Sequence, residues 1–386
     1  MPACGQARTH PWLLVSAAFV KTGGQDRANF ALASFLARHG DPVHIVSHRI
    51  ASDLGPSVNL FTHAAPRPLH SDLLGEPFLQ WYGARWAKRL RSQAPRVVVN
   101  GGNCAWPDVN WVHYVHAAYD RTGEGSMLQR ARMHVAHRRW LSDERKALLR
   151  ARLVIANSDR TRRDLLERVG VSPERIRVIY YGIDGDQVRP PAEGERAATR
   201  QEIGWPANRP VALFIGALGD RRKGFDALVR AWEILSKHTP LDPLLAVIGR
   251  GALLPEWQRR VTEAGLDHAI TFLGFREDVP RLVRAADMLV APTRYEAYGL
   301  GVHEALCCGL PAVVSADAGV AERYPAELQH LLLPDVEDAA DLARRIDACL
   351  SKPSGVSEAM AGFATRLRER SWDDMAGDIV AAACEQ

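Results

Sequence analysis

The chain has 386 residues, of which 47% are hydrophobic and 24% are charged. This composition is typical of a folded globular protein and excludes a disordered, collagen-like or coiled-coil chain. The formal net charge is only +4, which is too small to predict nucleic acid as a partner. No apolar run reaches the roughly 18 residues of a membrane-spanning helix, and we see no signal peptide. The six cysteines show no zinc or redox spacing, so we expect free thiols, a cytoplasmic location and no metal site.

Short apolar runs alternate with segments of helical periodicity along the whole chain. In chain order, the first half contains apolar runs at 12–18, 43–47, 96–100, 110–116, 153–156 and 177–180. After the loop-rich interval 182–210, a second series lies at 211–215, 244–248, 270–273, 288–291 and 312–315. Continuous apolar strands that alternate with helices are typical of parallel sheets covered on both faces. We therefore predict an α/β chain with two Rossmann-like, doubly wound domains.

The boundary between the predicted domains falls in the loop-rich interval. We place the first domain at residues 1–185 and the second, with its linker, at residues 186–370. The terminal segment 371–386 has the pattern of an amphipathic helix, which we expect to pack back on the first domain. In doubly wound sheets, ligands bind beyond the carboxyl ends of the strands. The loops that follow the strands are therefore where we expect functional residues.

The first such loop contains the adjacent glycines Gly23 and Gly24. Paired glycines before a helix let backbone N–H groups approach an anion. A plain tight turn is the alternative interpretation. The loop is not a G-x-G-x-x-G fingerprint, and no acidic residue ends the second strand, so the pattern does not indicate a dinucleotide site.

A second loop, from Gly216 to Gly224, follows the first strand of the second domain. It carries three consecutive cations, Arg221, Arg222 and Lys223. Clustered cations just before a helix suit the several acceptor oxygens of a diphosphate. The alternative is a solvated basic turn.

The third loop gives the strongest signal. Glu296 and Glu304 lie eight positions apart across a turn that contains Gly299 and Gly301. If a helix begins near Gly299, the backbone amides of Gly299, Leu300 and Gly301 are free to meet phosphate or sugar oxygens. Carboxylates are also good acceptors for vicinal sugar hydroxyls. The alternative is an acidic residue that only stabilises a helix N-terminus.

Glu-x7-Glu followed by Ala-Leu-Cys-Cys-Gly-Leu-Pro resembles the donor-site signature of the family-4 retaining glycosyltransferases with the GT-B fold. Segments 155–158, 179–184, 214–226, 247–251 and 272–275 also resemble parts of that family. The resemblance implies an acceptor-side N-terminal domain and a donor-binding C-terminal domain that face a central cleft. It implies a UDP- or GDP-sugar as donor substrate and no cofactor. The acceptor stays open between a glycan, a lipid-linked molecule and a small molecule.

The resemblance also assigns roles to individual residues. Arg222 and Lys223 should neutralise the leaving diphosphate, Glu304 should hold the ribose, and Glu296 should bond the donor sugar. The backbone near Phe275 should meet the base. The other residues expected to contact substrate are Gly23, Gly24, His113, Gly216, Tyr298, Gly299, Leu300 and Gly301. One departure is Ala217, where many members carry an arginine.

The family uses a histidine at the end of a strand in its N-terminal domain, and both His113 and His116 match that place. We favour His116 because it is nearer the carboxyl end of the predicted strand, with His113 as a core histidine. The triplet Asp184-Gly185-Asp186 spells a metal-binding motif of other glycosyltransferases. It lies at the predicted linker, however, and ordinary turn chemistry explains it.

Residues 121–152 are rich in arginine with interleaved apolar residues. Such a segment fits a basic surface that contacts anionic lipid at the inner face of the membrane. A solvated helix face and a patch that attracts an anionic acceptor are the alternatives.

These observations lead to the hypothesis of sugar transfer with retention at the anomeric carbon, in the synthesis of a glycan, lipopolysaccharide or glycoconjugate. No carboxylate nucleophile is evident, so the resemblance favours a same-face displacement. The alternatives are a GT-B epimerase or phosphorylase, and a nucleotide-sugar-binding protein without turnover. A nicotinamide dehydrogenase is the least supported, because the fingerprint is missing.

Overall fold

A computed structural model describes residues 10–54, 58–119, 127–351 and 354–385. The described chain divides into two units, each with its own sheet. The N-terminal unit contains the residues up to Gly182 together with those from Trp372 onward. The C-terminal unit is Ile183–Ser371.

The N-terminal unit is built on a seven-stranded parallel sheet with the order β5-β3-β1-β6-β7-β8-β9, and β2 pairs separately with β4. The strands are β1 (Trp12–Val15), β2 (Ala18–Phe19), β3 (Val43–Ser47), β4 (Arg49–Ile50), β5 (Leu60–Ala64), β6 (Arg96–Asn100), β7 (Val109–Val112), β8 (Leu153–Ala156) and β9 (Ile176–Val178). The helices are α1 (Gly24–Arg38), α2 (Asp72–Arg89), α3 (Met127–Arg150) and α4 (Asp159–Asp164), and α4 continues into a π-helical turn, Leu165–Val169. Every residue of β1, β7 and β8 is buried, as expected for strands covered on both faces.

The C-terminal unit has a six-stranded parallel sheet with the order β12-β11-β10-β13-β14-β15. The strands are β10 (Val211–Ile215), β11 (Leu244–Ile248), β12 (Ile270–Gly274), β13 (Met288–Ala291), β14 (Ala312–Ser315) and β15 (Leu332–Leu333). The helices are α5 (Glu195–Ile203), α6 (Phe225–His238), α7 (Leu254–Glu263), α8 (Val279–Ala285), α9 (Leu300–Cys307), α10 (Ala339–Ser351) and α11 (Ser354–Arg368). The strands β10 and β13 are neighbours, so the loops that follow them lie side by side at the same edge of the sheet.

The last helix, α12 (Trp372–Cys384), belongs to the N-terminal unit. It packs against α1, and Arg38 Nη2 donates to Asp373 Oδ1 at 2.6 Å. The second unit therefore interrupts the sequence of the first.

The prediction of two Rossmann-like α/β units is confirmed. Four strand and loop predictions were wrong in detail. The strand predicted at 177–180 is β9, Ile176–Val178. The run 12–18 contains β1 and the separate β2, the strand predicted at 110–116 ends at Val112, and the interval 182–210 contains the helix α5. The edge strands β5 and β15 were missed, because β5 has no buried residue and β15 has only two residues.

Candidate active site

The cationic loop after β10 is a 3₁₀ turn, Arg221–Lys223. Asp220 begins it, since its Oδ1 accepts the N–H of Arg222 at 3.1 Å. Gly224 ends it in the left-handed region with φ of 69°. A Cβ atom at Gly224 would lie 1.7 Å from the carbonyl oxygen of Pro292. Only glycine therefore lets this loop pack directly against the loop after β13.

Three further contacts join the two loops. The N–H of Arg294 donates to the carbonyl of Arg222 at 2.8 Å, and Arg222 Nη1 donates to the carbonyl of Tyr295 at 3.1 Å. Lys223 Nζ forms an ion pair with Glu296 Oε2. The structure thus brings together three residues that the sequence predicted from separate motifs: Arg222, Lys223 and Glu296.

The Lys223–Glu296 pair is largely withdrawn from solvent, with each side chain 17% exposed. Burial opposes ionisation of the Glu296 carboxyl, but the charges of Lys223 and Arg222 outweigh it and hold its pKa below the usual value. The carboxylate is therefore ionised at neutral pH, and it is an acceptor for a hydroxyl group or a partner for the ammonium.

Helix α9 begins beside this pair. Its N-cap is Gly299, with φ of 105° and no side-chain cap, and the carbonyl of Gly299 accepts the N–H groups of Val302 and His303 at 3.0 Å each. Within the described part of the chain, the N–H groups of Leu300 and Gly301 reach no acceptor. These N–H groups and the helix dipole form a site suited to an anion.

The other residues of this segment differ in burial. Glu304 is half-buried on α9, one turn after its start. Tyr298 is 2% exposed, and its hydroxyl shares a 2.6 Å hydrogen bond with Nδ1 of His303. Burial lowers the pKa of His303 to about 3, so this histidine is neutral. The Tyr298 side chain therefore supports the turn from inside, and sequence reasoning missed His303 as its partner.

Close backbone packing also holds Gly216 in place. A Cβ atom at Gly249 would lie 1.9 Å from the carbonyl oxygen of Gly216. A Cβ atom at Gly251 would lie 2.1 Å from the carbonyl carbon of Leu218. The loop after β11 thus lies directly on the loop after β10, and Ala217 is exposed.

Phe275 follows β12 and is 51% exposed. The guanidinium of Arg250 lies 4.2 Å from the centroid of its ring, a cation–π arrangement. An exposed aromatic ring at a strand end is a surface on which a flat base could stack. Arg250 lies in the segment 247–251, whose sequence does not predict the contact with Phe275.

Gly23 and Gly24 lie where α1 begins in the N-terminal unit. Gly23 is the N-cap with φ of 82°, and Gly24 is the first helical residue. A Cβ atom at Gly23 would meet nothing within 4 Å. The backbone at this helix N-terminus is therefore accessible.

His113 lies in a buried polar network directly after β7. Its Nδ1 and the hydroxyl of Tyr181 are 2.5 Å apart. Asn157 Nδ2 donates to the same hydroxyl at 3.0 Å, and Thr161 Oγ1 donates to Asn157 Oδ1 at 2.7 Å. Burial lowers the pKa of His113 to about 3, so the ring is neutral. Tyr181 is 68 positions from His113 and 24 from Asn157, so sequence spacing does not reveal the contacts that centre on its hydroxyl.

His116 begins a 3₁₀ turn, His116–Ala118. Glu144 holds the start of this turn, since Oε1 accepts the N–H of His116 at 3.0 Å and Oε2 accepts that of Ala117 at 3.4 Å. The His116 ring stacks on Trp140 at 5.5 Å between centroids. Burial raises the pKa of Glu144 to about 7, although the two N–H groups oppose this shift. Sequence reasoning missed Glu144 entirely.

The Asp-Gly-Asp triplet makes a local turn. Asp184 Oδ1 accepts the N–H groups of Asp186 at 3.2 Å and Gln187 at 3.3 Å, as turn chemistry predicts. Among the residues that the structure describes, no group of three or more His, Cys, Asp or Glu side chains is arranged to hold a metal ion.

The arginine-rich segment is described from residue 127 onward, and residues 121–126 lie outside the described residues. Residues 127–150 form α3. Its exposed cations include Arg138, Arg139, Arg145 and Lys146. None of the helices described here combines the length and the apolar character needed to cross a bilayer.

Solved structures of glycosyltransferases share this fold. WaaG, a glycosyltransferase involved in lipopolysaccharide biosynthesis, matches with a TM-score of 0.77 over 97% of this chain and 100% of its own, at 21% identity. Anabaena HepE in complex with UDP and glucose matches with a TM-score of 0.71 over 96% of this chain and 98% of its own, at 18% identity. The two described units therefore have the GT-B fold.

Sequence relatives give the family. The model for Glycosyltransferase Family 4 matches residues 22–187, and the model for Glycosyl transferases group 1 matches residues 195–369. D-inositol 3-phosphate glycosyltransferase of Saccharomonospora viridis is 27% identical over 81% of this chain and 78% of its own length. Mannosylfructose-phosphate synthase of Agrobacterium fabrum is 32% identical over 46% of this chain and 40% of its own. The chain belongs to glycosyltransferase family 4 and is a glycosyltransferase.

Proposed function

We propose that this enzyme transfers a sugar from a nucleotide diphosphate sugar to an acceptor hydroxyl and retains the configuration at the anomeric carbon. One observation carries the proposal. At the ends of the adjacent strands β10 and β13, the cations Arg222 and Lys223 lie against Glu296. The N-terminus of α9 belongs to the same loop region.

The charges fit the departure of a diphosphate. Breaking the bond to the sugar builds negative charge on the phosphate oxygens, and fixed cations and N–H groups stabilise that charge. Lys223 and Arg222 supply the cations, and Leu300 and Gly301 supply the N–H groups. When the donor binds, the Lys223 ammonium is shared between Glu296 and the diphosphate, and the ionised Glu296 accepts a hydrogen bond from a sugar hydroxyl.

The remaining roles follow the family pattern. We assign the ribose hydroxyls to Glu304 and the base to the surface around Phe275. We assign stabilisation of the positive charge that develops on the sugar to the His116 side chain or to its backbone carbonyl, with His113 as the alternative. The departing phosphate oxygen accepts the proton of the acceptor hydroxyl. In this scheme side-chain cations neutralise the diphosphate, so we expect turnover to persist in the presence of a metal chelator.

The names of the relatives indicate which donors and acceptors to test. HepE is described in complexes with UDP and with UDP-glucose, which supports a nucleotide diphosphate sugar as donor. The sequence relatives name phosphorylated inositol and mannosylfructose phosphate, whereas WaaG is named for lipopolysaccharide. Phosphorylated polyols and lipid-linked saccharides are therefore the two acceptor classes to test.

The test combines donor binding with turnover. A thermal-shift screen of UDP- and GDP-sugars identifies the donor, since saturation at about 100 times Kd stabilises by roughly 2.7 kcal/mol. Lys223→Ala and Glu304→Ala should each lose at least about 100-fold in kcat/KM, while Lys237→Ala, at an exposed position of α6, should match the wild type. NMR of the product reports the anomeric configuration. Wild-type turnover in both site variants would contradict the assignment of the active site. A product of inverted anomeric configuration would contradict the proposed retention.

We further propose contact with an anionic lipid surface through the N-terminal unit. The helix α3 exposes Val135 beside Arg138 and Arg139, and α2 exposes Phe78 and Trp81. Apolar side chains beside cations favour binding to anionic headgroups. Co-sedimentation with anionic vesicles should fall when Arg138 and Arg139 are replaced by glutamine. Equal binding to zwitterionic vesicles, or none to either, would contradict this part of the proposal.

A further inference from the structure

Arg294 lies three residues after β13 and two residues before Glu296. Its guanidinium donates to both carboxylate oxygens of Asp226, at 2.7 Å each. It also donates to the carbonyl of Arg221 at 2.7 Å and to Glu337 Oε1 at 2.7 Å. The Arg294 side chain is thus fixed by hydrogen bonds to two carboxylates and one main-chain carbonyl.

Two of these partners connect Arg294 with the cationic turn. The carbonyl of Arg221 belongs to that turn, and Asp226 lies in the first turn of α6, directly after Gly224 and Phe225. The backbone N–H of Arg294 adds a third link, to the carbonyl of Arg222 at 2.8 Å. One residue therefore holds the turn from both its main chain and its side chain.

The pairing is mostly shielded from water. The Arg294 and Asp226 side chains are 22% and 15% exposed. Burial opposes ionisation of Asp226, and the hydrogen bond and charge of Arg294 overcome this and lower the pKa of its carboxyl. Both groups are therefore charged at neutral pH, and the fork of the guanidinium gives the contact a fixed geometry.

We propose that Arg294 is a positioning residue, which fixes the cationic turn Arg221–Lys223 relative to Glu296. The inference rests on the proposed function, because its effect on rate is exerted through Lys223 and Arg222. A lysine at position 294 supplies one point charge and no planar fork. Its three N–H donors leave a single nitrogen, so it cannot reproduce the four hydrogen bonds that Arg294 makes from three nitrogens.

The variants are Arg294→Lys and Arg294→Ala, with Arg230→Ala as the matched control. Arg230 Nη2 donates to Glu337 Oε2 at 2.8 Å, so it shares the outer carboxylate but does not touch the turn in the described contacts. A displacement of about 1 Å at a reacting centre lowers rate on the order of 100-fold. We expect that loss in kcat for both Arg294 variants, a donor KM within a few-fold of the wild type, and unchanged kinetics for Arg230→Ala.

Chemical rescue separates positioning from stability. Millimolar guanidinium should restore the kcat of Arg294→Ala at least about tenfold, since it refills the site that the variant leaves empty. The same concentration of sodium chloride should not restore the kcat of Arg294→Ala. Guanidinium should not restore the kcat of Lys223→Ala. A wild-type kcat in Arg294→Lys, or a loss that merely follows the folded fraction measured by circular dichroism, would overturn the inference.

A second variant covers the case in which Arg294→Ala does not fold. Arg294→Met combined with Asp226→Leu removes both buried charges, a change that is often neutral for stability. It should fold and show the same loss in kcat, whereas a wild-type kcat would overturn the inference. If Lys223→Ala and Glu304→Ala both keep full turnover, the proposed site fails. If Lys223→Ala is inactive while Arg294→Lys is normal, only the positioning role fails.

Discussion

Replacing Lys223 by methionine removes the cation nearest the buried carboxylate of Glu296. Breaking a buried ion pair from one side destabilises by roughly 3–5 kcal/mol, because the remaining charge is left unpaired. Each side chain of this pair is still 17% exposed, and Arg222 also lowers the pKa of Glu296. We therefore expect the lower end of the range, about 3 kcal/mol of unfolding free energy at neutral pH.

The pH dependence distinguishes this ion pair from simple packing. In the wild type, the folded pKa of Glu296 lies below its unfolded value of 4.5, so its stabilising contribution is present above 4.5 and is lost as the pH falls through the folded pKa. In Lys223→Met, burial is opposed by Arg222 alone, and we expect the folded pKa to rise above the unfolded value. The variant then gains stability as the pH falls toward the unfolded pKa, and its deficit relative to the wild type shrinks.

Urea unfolding followed by tryptophan fluorescence measures both effects. Glu296→Gln and the double variant Lys223→Met/Glu296→Gln complete a double-mutant cycle, and the double variant should be more stable than Lys223→Met at neutral pH. A constant deficit from neutral pH down to mildly acidic pH would show that lost packing, and not an unpaired carboxylate, explains the change. Equal stability of wild type and Lys223→Met would refute the reasoning altogether.

Three further predictions concern other parts of the chain. Gly224→Ala should destabilise by about 3–5 kcal/mol in thermal unfolding, because its Cβ meets a carbonyl oxygen at 1.7 Å. Gly204→Ala, with the same left-handed backbone but nothing within 4 Å, should cost only about 1–2 kcal/mol, and equal losses would contradict the contact. Burial raises the pKa of Glu144 from 4.5 to about 7. The free energy of unfolding of the wild type should therefore fall by about 3 kcal/mol as the pH rises from 4.5 to about 7. Urea titrations of Glu144→Gln should lack that slope, and an unchanged slope would count against the assignment. In a Cys4→Ser variant, maleimide labelling of the native protein, read by mass spectrometry, should modify Cys384 alone, because this thiol is exposed. The other described thiols are buried, and burial raises their pKa to about 11 or 12. They are Cys104, Cys307, Cys308 and Cys349. Rapid labelling of any of those four would contradict their burial.

The interior of both sheets was predictable because its strands are buried on both faces. The strands β3, β6, β8, β10, β11, β13 and β14 have the bounds that their apolar runs predict. The edge strand β5 has the sequence Leu-Phe-Thr-His-Ala and exposes three of its residues, so it leaves no continuous apolar run. Chain periodicity thus reports burial: the edge strand β12 was still predicted from its run at 270–273, whereas the edge strand β5, which has no buried residue, was missed.

The candidate site likewise contains features that the sequence predicts and contacts that it does not predict. Cations in a turn and carboxylates around a glycine-containing helix start are local patterns, and a short stretch of sequence displays them. The partners Asp226 and Arg294 are 68 positions apart, and Glu144 lies 28 positions after His116. Spacing along the chain carries no information on such pairs, since the sheet order alone decides which loops become neighbours.

Glycines give the clearest link between the sequence and the structure of the site. Gly224, Gly249 and Gly251 each occupy a point where a side chain would collide with the backbone of a neighbouring loop. From sequence, they look like ordinary turn residues. In the structure, they let three loops stack at the end of one sheet, and the cationic turn is held at the spacing that allows Lys223 to reach Glu296. The charge pair is therefore a consequence of close backbone packing, and a larger residue at any of these glycines should damage turnover even though no charge is removed.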